Sequence, residues 1–136
     1  MDFTLDTNIM SYLLKGDKSI LKNVQNIITN GEKLIINPIT FYEIYRGLLN
    51  KKAVKQLNKF EQYCNQFENC EFSRKTFIIA AEIYSDLKSN GKLIDDADIF
   101  IAALCIENGF VLITNNEKHF NRVKKLKFLN WVCEYH

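Results

Sequence analysis

Asp6, Glu43 and Asp98 each stand where the surrounding sequence is too apolar to leave a charge without a partner. Asp6 follows Phe3-Thr4-Leu5, a brief apolar and β-branched run, and precedes Thr7-Asn8, so it marks the junction between a buried strand and a helix start. Asp98 lies within Ala97-Asp98-Ile99-Phe100-Ile101-Ala102-Ala103-Leu104-Cys105, a segment whose circumference must be mostly covered. Glu43 sits among Ile39, Phe41, Ile44 and Leu48. Each has an ordinary explanation: Asp6 as a helix cap, Asp98 as a first-turn acid favoured by the helix dipole, Glu43 as the ion-pair partner of Arg46 at i+3. That explanation is weakest for Asp98, because Asp95 and Asp96 already fill the dipole role and Asp98 reads as one turn further in. Gly47, in mid-helix, costs about 1 kcal/mol relative to alanine and implies close packing or a required approach at that face.

Two carboxylates 4 Å apart repel by about 4 kcal/mol at an effective dielectric near 20, so a convergent cluster needs a counter-charge. All-oxygen ligands favour a hard divalent ion, Mg²⁺ or Mn²⁺, kept partly hydrated. Such an ion ionises a water and neutralises charge on a phosphodiester, which makes phosphoryl chemistry the natural use of these acids. No glycine-rich phosphate loop occurs, so nucleoside triphosphates are not expected. The two histidines, His119 and His136, are too few and too far apart for a zinc cluster or a paired-histidine ribonuclease. Cys64, Cys70, Cys105 and Cys133 lack C-x-x-C spacing and are expected to be free thiols.

The elements that must position these acids follow from periodicity and caps. Phe3-Thr4-Leu5, Leu34-Ile35-Ile36 and Val111-Leu112-Ile113 read as buried strands, Cys70-Glu71-Phe72 as a weak one and Lys127-Phe128-Leu129 as a last one. Between them run helices: one from the Asp6-Thr7-Asn8 caps to Gly16, one capped by Ser19 and closed at Asn30-Gly31, and one capped by Thr40 that runs to about Asn50. Further helices span Lys52 to about Phe67, Ser73 to Asn90-Gly91, and Asp95 to Asn108-Gly109. Short apolar strands alternating with helices imply an α/β fold whose parallel sheet is covered on both faces. In such sheets ligands bind beyond the carboxyl ends of the strands. There the sequence places Asp6-Thr7-Asn8, Asn37 and Thr114-Asn115-Asn116.

The 136 residues suit a single domain over 1–136, and no low-complexity linker divides them. The opening residues have neither the basic region nor the apolar core of a signal peptide, and no run approaches about 18 apolar residues, so a cytoplasmic location without membrane attachment is expected. A net charge of +2 is too small to argue nucleic-acid binding by itself. Lys15, Arg46, Lys51, Lys52 and the Arg122-Lys124-Lys125-Lys127 cluster are the basic candidates, which a solvated face explains equally well.

Taken in order, Leu5-Asp6-Thr7-Asn8-Ile9, Glu43-x-x-x-Gly47, Asp96-Ala97-Asp98-Ile99-Phe100-Ile101-Ala102-Ala103 and Leu112-Ile113-Thr114-Asn115-Asn116-x-x-His119-Phe120 resemble the PIN-domain family. More narrowly, they are similar to the VapC toxins of bacterial type II toxin–antitoxin pairs, and with Leu126-x-x-Leu129-Asn130-Trp131 the likeness covers nearly the whole chain. The resemblance implies a three-layer domain with a short parallel sheet of four to five strands. It also implies a metal-dependent endoribonuclease, usually a homodimer, silenced by a cognate VapB-like antitoxin that occupies the active-site groove. The family's acidic core corresponds to Asp6, Glu43 and Asp98, with metal held chiefly by Asp6 and Asp98. Many members carry a further acid where this sequence has His119, which leaves one or two ions open. Asp96 is one substitute for that acid; Asn115, Asn116 or His119, with Thr7, Asn8, Arg46 and Thr114 around them, are others for holding a water or a phosphate.

In the reaction implied, metal-activated water attacks the phosphodiester of an RNA held by a basic surface, with Glu43 or Asp98 as base or ligand. That route needs no 2′-hydroxyl, so preference for RNA must come from shape and contacts elsewhere. Two alternatives remain: a non-catalytic RNA- or protein-binding module of this fold, and a Mg²⁺-dependent phosphatase with Asp6 as nucleophile. The haloacid-dehalogenase pattern needs a second acid two residues after the first, where Asn8 stands.

Overall fold

The computed structural model describes residues 1–132; Cys133 and His136 lie outside the described residues. Its elements are β1 (Asp2–Leu5), α1 (Thr7–Leu14), α2 (Lys18–Thr29), β2 (Lys33–Ile36), α3 (Pro38–Asn50), α4 (Val54–Gln66), β3 (Glu68–Asn69), α5 (Arg74–Ser89), α6 (Asp96–Asn108), β4 (Val111–Ile113), α7 (Glu117–Phe120) and β5 (Lys127–Leu129). All five strands are parallel, in the order β3-β2-β1-β4-β5. The strand order therefore reverses between β1 and β4, which opens a crevice at their carboxyl ends.

Strand alternation divides the interior into two cores. Leu5, Leu34, Ile36, Val111 and Ile113 face α1 to α4, while Ile35 and Leu112 face α5 and α6. The sheet thus lies between two helical layers, as the sequence pattern requires. Thr4 pairs in register with Ile35 and Leu112 and is fully buried, with its hydroxyl donating to the Ile35 carbonyl at 2.7 Å. Among the described residues no helix is long and apolar enough to cross a membrane, and Cys64, Cys70 and Cys105 are free.

Several expected boundaries shift for local reasons. Helix α2 is capped by Asp17 rather than Ser19, because the Asp17 carboxylate accepts the Ile20 N–H at 3.1 Å. Helix α3 is capped by Asn37 rather than Thr40: Asn37 Oδ1 accepts the Thr40 N–H at 2.8 Å, and Pro38 takes the first helical position, where no donor is needed. The weak strand falls at Glu68–Asn69 instead of 70–72, since an exposed edge strand is held by its ladder to Ile35 and Ile36 rather than by apolar side chains. Cys70 continues that ladder only through its N–H to the Ile36 carbonyl, at 3.2 Å. Helix α4 starts at Val54, two residues later than expected, after Lys52 adopts a positive φ of 55°. Gly109 ends α6 with φ 71°, a left-handed stop that glycine adopts without a Cβ clash.

Candidate active site at the carboxyl edge of the sheet

Asp6 caps α1 and faces the crevice between β1 and β4. Its Oδ1 accepts the Thr7 N–H at 2.8 Å, and its Oδ2 accepts the Thr114 hydroxyl at 2.8 Å. The main-chain N–H of Asp6 reaches the Ile113 carbonyl at 2.9 Å, so the residue bridges β1 and β4 at the crevice. The side chain is nearly closed off, with Asp6 7% exposed. Burial pushes its carboxyl above the usual aspartate range; the Thr114 and Thr7 hydrogen bonds oppose that rise, and the charges of Asp98 and Glu43 add to it.

A buried polar brace fixes the approach to Asp6. Asn37 Nδ2 lies within hydrogen-bond distance of Thr4 Oγ1 (3.0 Å), the Leu5 carbonyl (3.2 Å) and Thr40 Oγ1 (3.1 Å), and Thr40 Oγ1 donates to the Leu5 carbonyl at 2.9 Å. The last peptide of β1 is thereby tied to the first turn of α3, the helix that carries Glu43. Sequence reasoning places Asn37 at the ligand edge of the sheet but misses its brace; the available signal is a polar Thr4 within an apolar strand, with an Asn-Pro pair after the next strand.

Glu43 is half-buried on α3 and accepts the Thr7 hydroxyl at 2.5 Å. It has no ion pair with Arg46, whose guanidinium instead lies 5.0 Å from the Tyr42 ring centroid. An added Cβ at Gly47 would meet nothing within 4 Å, so close packing does not explain that glycine. Gly47 instead lines a cleft beside Glu43.

Asp98 belongs to the first turn of α6 rather than one turn further in, because Asp95 is the cap residue. Its side chain is 16% exposed and its Oδ2 lies 3.0 Å from His119 Nδ1. Burial raises the Asp98 carboxyl, the His119 contact opposes this, and the charges of Asp95 and Glu43 reinforce it. With the carboxylate ionised, Nδ1 is the protonated ring nitrogen and donates to it. The Asn116 amide, whose Nδ2 is placed 3.0 Å from the same nitrogen, must then turn its oxygen toward the ring.

Among the auxiliary residues, Thr114 is the most tightly held, since its oxygen also accepts the Asn116 N–H at 2.9 Å. Asn8 reaches Asn115 only at 3.4 Å. Asp96 is exposed at the start of α6, and its charge is not among those acting on Asp6 or Asp98.

The three acids stand as electrostatic neighbours rather than as a closed cage. Among the described residues, no three His, Cys, Asp or Glu groups are drawn together tightly enough to ligate an ion by themselves. Their chemistry nonetheless fits a hard divalent ion. The donors are carboxylates, two of them are held above their ordinary range by burial and by neighbouring acids, and Mg²⁺ characteristically uses one or two carboxylates and keeps several waters.

Known proteins are similar to this chain along nearly its full length. Ribonuclease VapC2 of Rickettsia felis is 28% identical over 132 residues, covering 96% of this chain and 98% of its own. The solved structure of VapBC2 from Rickettsia felis bound to a DNA fragment from their promoter has a TM-score of 0.90 at 29% identity, covering 97% of this chain and 100% of that one. VapBC-1 from nontypeable Haemophilus influenzae has a TM-score of 0.85 at 27% identity, covering 96% and 98%. Residues 3–126 match the family model of the PIN domain, a span that holds every acid described above, and the chain belongs to the PIN-domain family.

Proposed function

We propose that this chain is a Mg²⁺- or Mn²⁺-dependent endoribonuclease, the toxin of a VapBC-type pair. The observation that carries the reading is Asp6: a carboxylate buried at the crevice of a PIN domain, with Asp98 and Glu43 adding negative charge around it. Its full-length relatives are VapC ribonucleases, and its structural neighbours are VapBC assemblies, which supports a VapB-like antitoxin as partner and RNA as substrate. A cytoplasmic location and a homodimer belong to the same proposal; the exposed Leu49 near the end of α3 and Val54 at the start of α4 are apolar surface that a protein contact would cover.

Asp6 and Asp98 would hold the ion, and the exposed Asp96 at the start of α6 is the further candidate ligand. A bound divalent ion supplies an ionised water and neutralises charge on the phosphodiester. The chain's own residues do the rest. Thr7 and Thr114 hold the two Asp6 oxygens in place, so that the carboxylate does not rotate as charge develops. His119 orients Asp98 through Oδ2 and leaves Oδ1 free. Glu43, held by the Thr7 hydroxyl, would accept a proton from the attacking water. Asn115 and Asn116, just past β4, supply neutral amides for the scissile phosphate.

The phosphatase alternative asks Asp6 to be a nucleophile with a second acid two residues later, where Asn8 stands. Purified protein with Mg²⁺ or Mn²⁺ and structured RNA is the direct test. The wild type cuts internally, and Asp6→Asn does not; equal cutting by both would sink the proposal.

A further inference from the structure

Helices α1 and α3 both start at the carboxyl edge, after the parallel strands β1 and β2, and therefore run away from the acids side by side. Their facing residues recur every four positions: Thr7, Ser11 and Lys15 on α1, and Glu43, Gly47 and Lys51 on α3. These six line one cleft of about 120 Å³. It opens at the Thr7–Glu43 hydrogen bond, is floored by the small Ser11 and Gly47, and ends at two exposed lysines about 12 Å further along the helices. Leu14 and Gln56 join it to a second cleft of about 530 Å³ that carries Lys55 and Lys59 on α4.

We propose that this cleft is a substrate subsite, holding the phosphodiester backbone of a single RNA strand to one side of the scissile bond. The inference rests on the nuclease reading and gives it a direction. Lys15 and Lys51 each occupy a helix C-cap, where a cation favours the dipole, but the dipole does not require both to converge on one cleft. None of Lys15, Lys51, Lys55 and Lys59 forms an ion pair among the described residues, and Glu43 is the sole acid lining either cleft. Like charges gathered around a groove are a cost unless an anion lies between them.

The open floor also accounts for Gly47: in mid-helix it leaves room above α3, where a larger side chain would narrow the path to Glu43. The rival basic cluster is placed elsewhere. Lys127 opens β5 opposite Val111, at the amino end of the sheet and away from the acids. Arg122 is spent on the Lys92 and Leu93 carbonyls at 3.3 and 3.1 Å, and Lys124 lies 3.7 Å from Asp86.

The test uses full-length Asp6→Asn protein and a labelled single-stranded oligoribonucleotide, with binding measured across a salt series. Adding Lys15→Gln and Lys51→Gln is expected to weaken binding severalfold and to flatten the slope of log Kd on log salt by about 1.4, or about 0.7 for each phosphate that is no longer neutralised. Lys15→Arg with Lys51→Arg keeps the parent slope, and Lys124→Gln with Lys127→Gln leaves binding unchanged. An unchanged slope in the first pair, or a weakening carried by the second, overturns the subsite while leaving the nuclease reading intact. Retained RNA binding with weakened binding of a VapB-like antitoxin in the first pair would make the cleft a protein site and also overturn it. If the parent binds no RNA and the wild type cuts none, both proposals fall together.

Discussion

His119 Nδ1 lies 3.0 Å from Asp98 Oδ2, so the imidazole ring meets the α6 acid of the candidate site through a direct hydrogen bond. A donor there orients Asp98 and would leave its other oxygen available to a divalent ion. His119→Ala is expected to weaken Mn²⁺ affinity by about 10- to 100-fold, the usual cost of losing an outer-shell partner, with the fold retained. His119→Gln, which can still donate to Asp98, recovers part of it. Titration of Mn²⁺ by calorimetry reads this directly, and unchanged affinity in the alanine variant would remove His119 from the site.

The Thr114 hydroxyl is shared between the Asp6 carboxylate, to which it donates, and the Asn116 N–H, which it accepts. Thr114→Val keeps the shape and removes both bonds. The Oδ2 atom of the buried Asp6 carboxylate and the partly buried Asn116 N–H are then each left without a partner, at about 1–3 kcal/mol for each group unsatisfied. Urea unfolding of the metal-free protein at neutral pH should show at least the lower figure; a change below about 0.5 kcal/mol, the size of an ordinary surface substitution, would mean that water replaces the hydroxyl at no cost.

Asp6 and Asp98 are both held above the ordinary aspartate range, which sets the sign of their pH effect. The protonated form is favoured in the fold, so stability from these groups is present at low pH. It is lost as pH rises, beginning near 3.8 and complete above the raised folded values. Metal-free wild type should therefore lose stability across this window relative to the Asp6→Asn, Asp98→Asn double variant. Added Mg²⁺ should raise the melting temperature more at pH 7 than at pH 4. A difference between the two proteins that does not vary with pH would contradict the burial argument.

The parts of this fold legible in the sequence are those decided by local chemistry. Strands β1, β2 and β4 declare themselves as short apolar runs, and the Asn-Gly stops at 30–31, 90–91 and 108–109 end helices as read. Asp6, Glu43 and Asp98 stand out for a related reason, because each is charged within an apolar context. Strand β3 is read two residues too late, at 70–72, because Glu68 and Asn69 are polar and exposed, and only the neighbouring Ile35 and Ile36 make them a strand. The Asn37 brace and the shared Thr114 hydroxyl escape it because each joins residues more than thirty positions apart, which no local pattern records.

Asn37 provides the sharpest test of how the fold builds the site. Its amide caps α3 through Thr40 and braces Thr4, the Leu5 carbonyl and Thr40 Oγ1, all within a fully buried pocket. Asn37→Ala removes the cap, worth about 1 kcal/mol, and strips a donor from buried oxygens, so a destabilisation of about 2–4 kcal/mol is expected. The functional effect should exceed the structural one at temperatures where the variant stays folded. Leu5 and Thr40 are the joint between the strand that ends at Asp6 and the helix that carries Glu43, and a shift of about 1 Å between catalytic groups can cost about 100-fold in rate. Cleavage measured well below the variant's melting temperature should thus fall by more than the unfolded fraction explains. If the rate instead tracks the folded fraction alone, Asn37 stabilises the sheet edge without setting the spacing of the two acids.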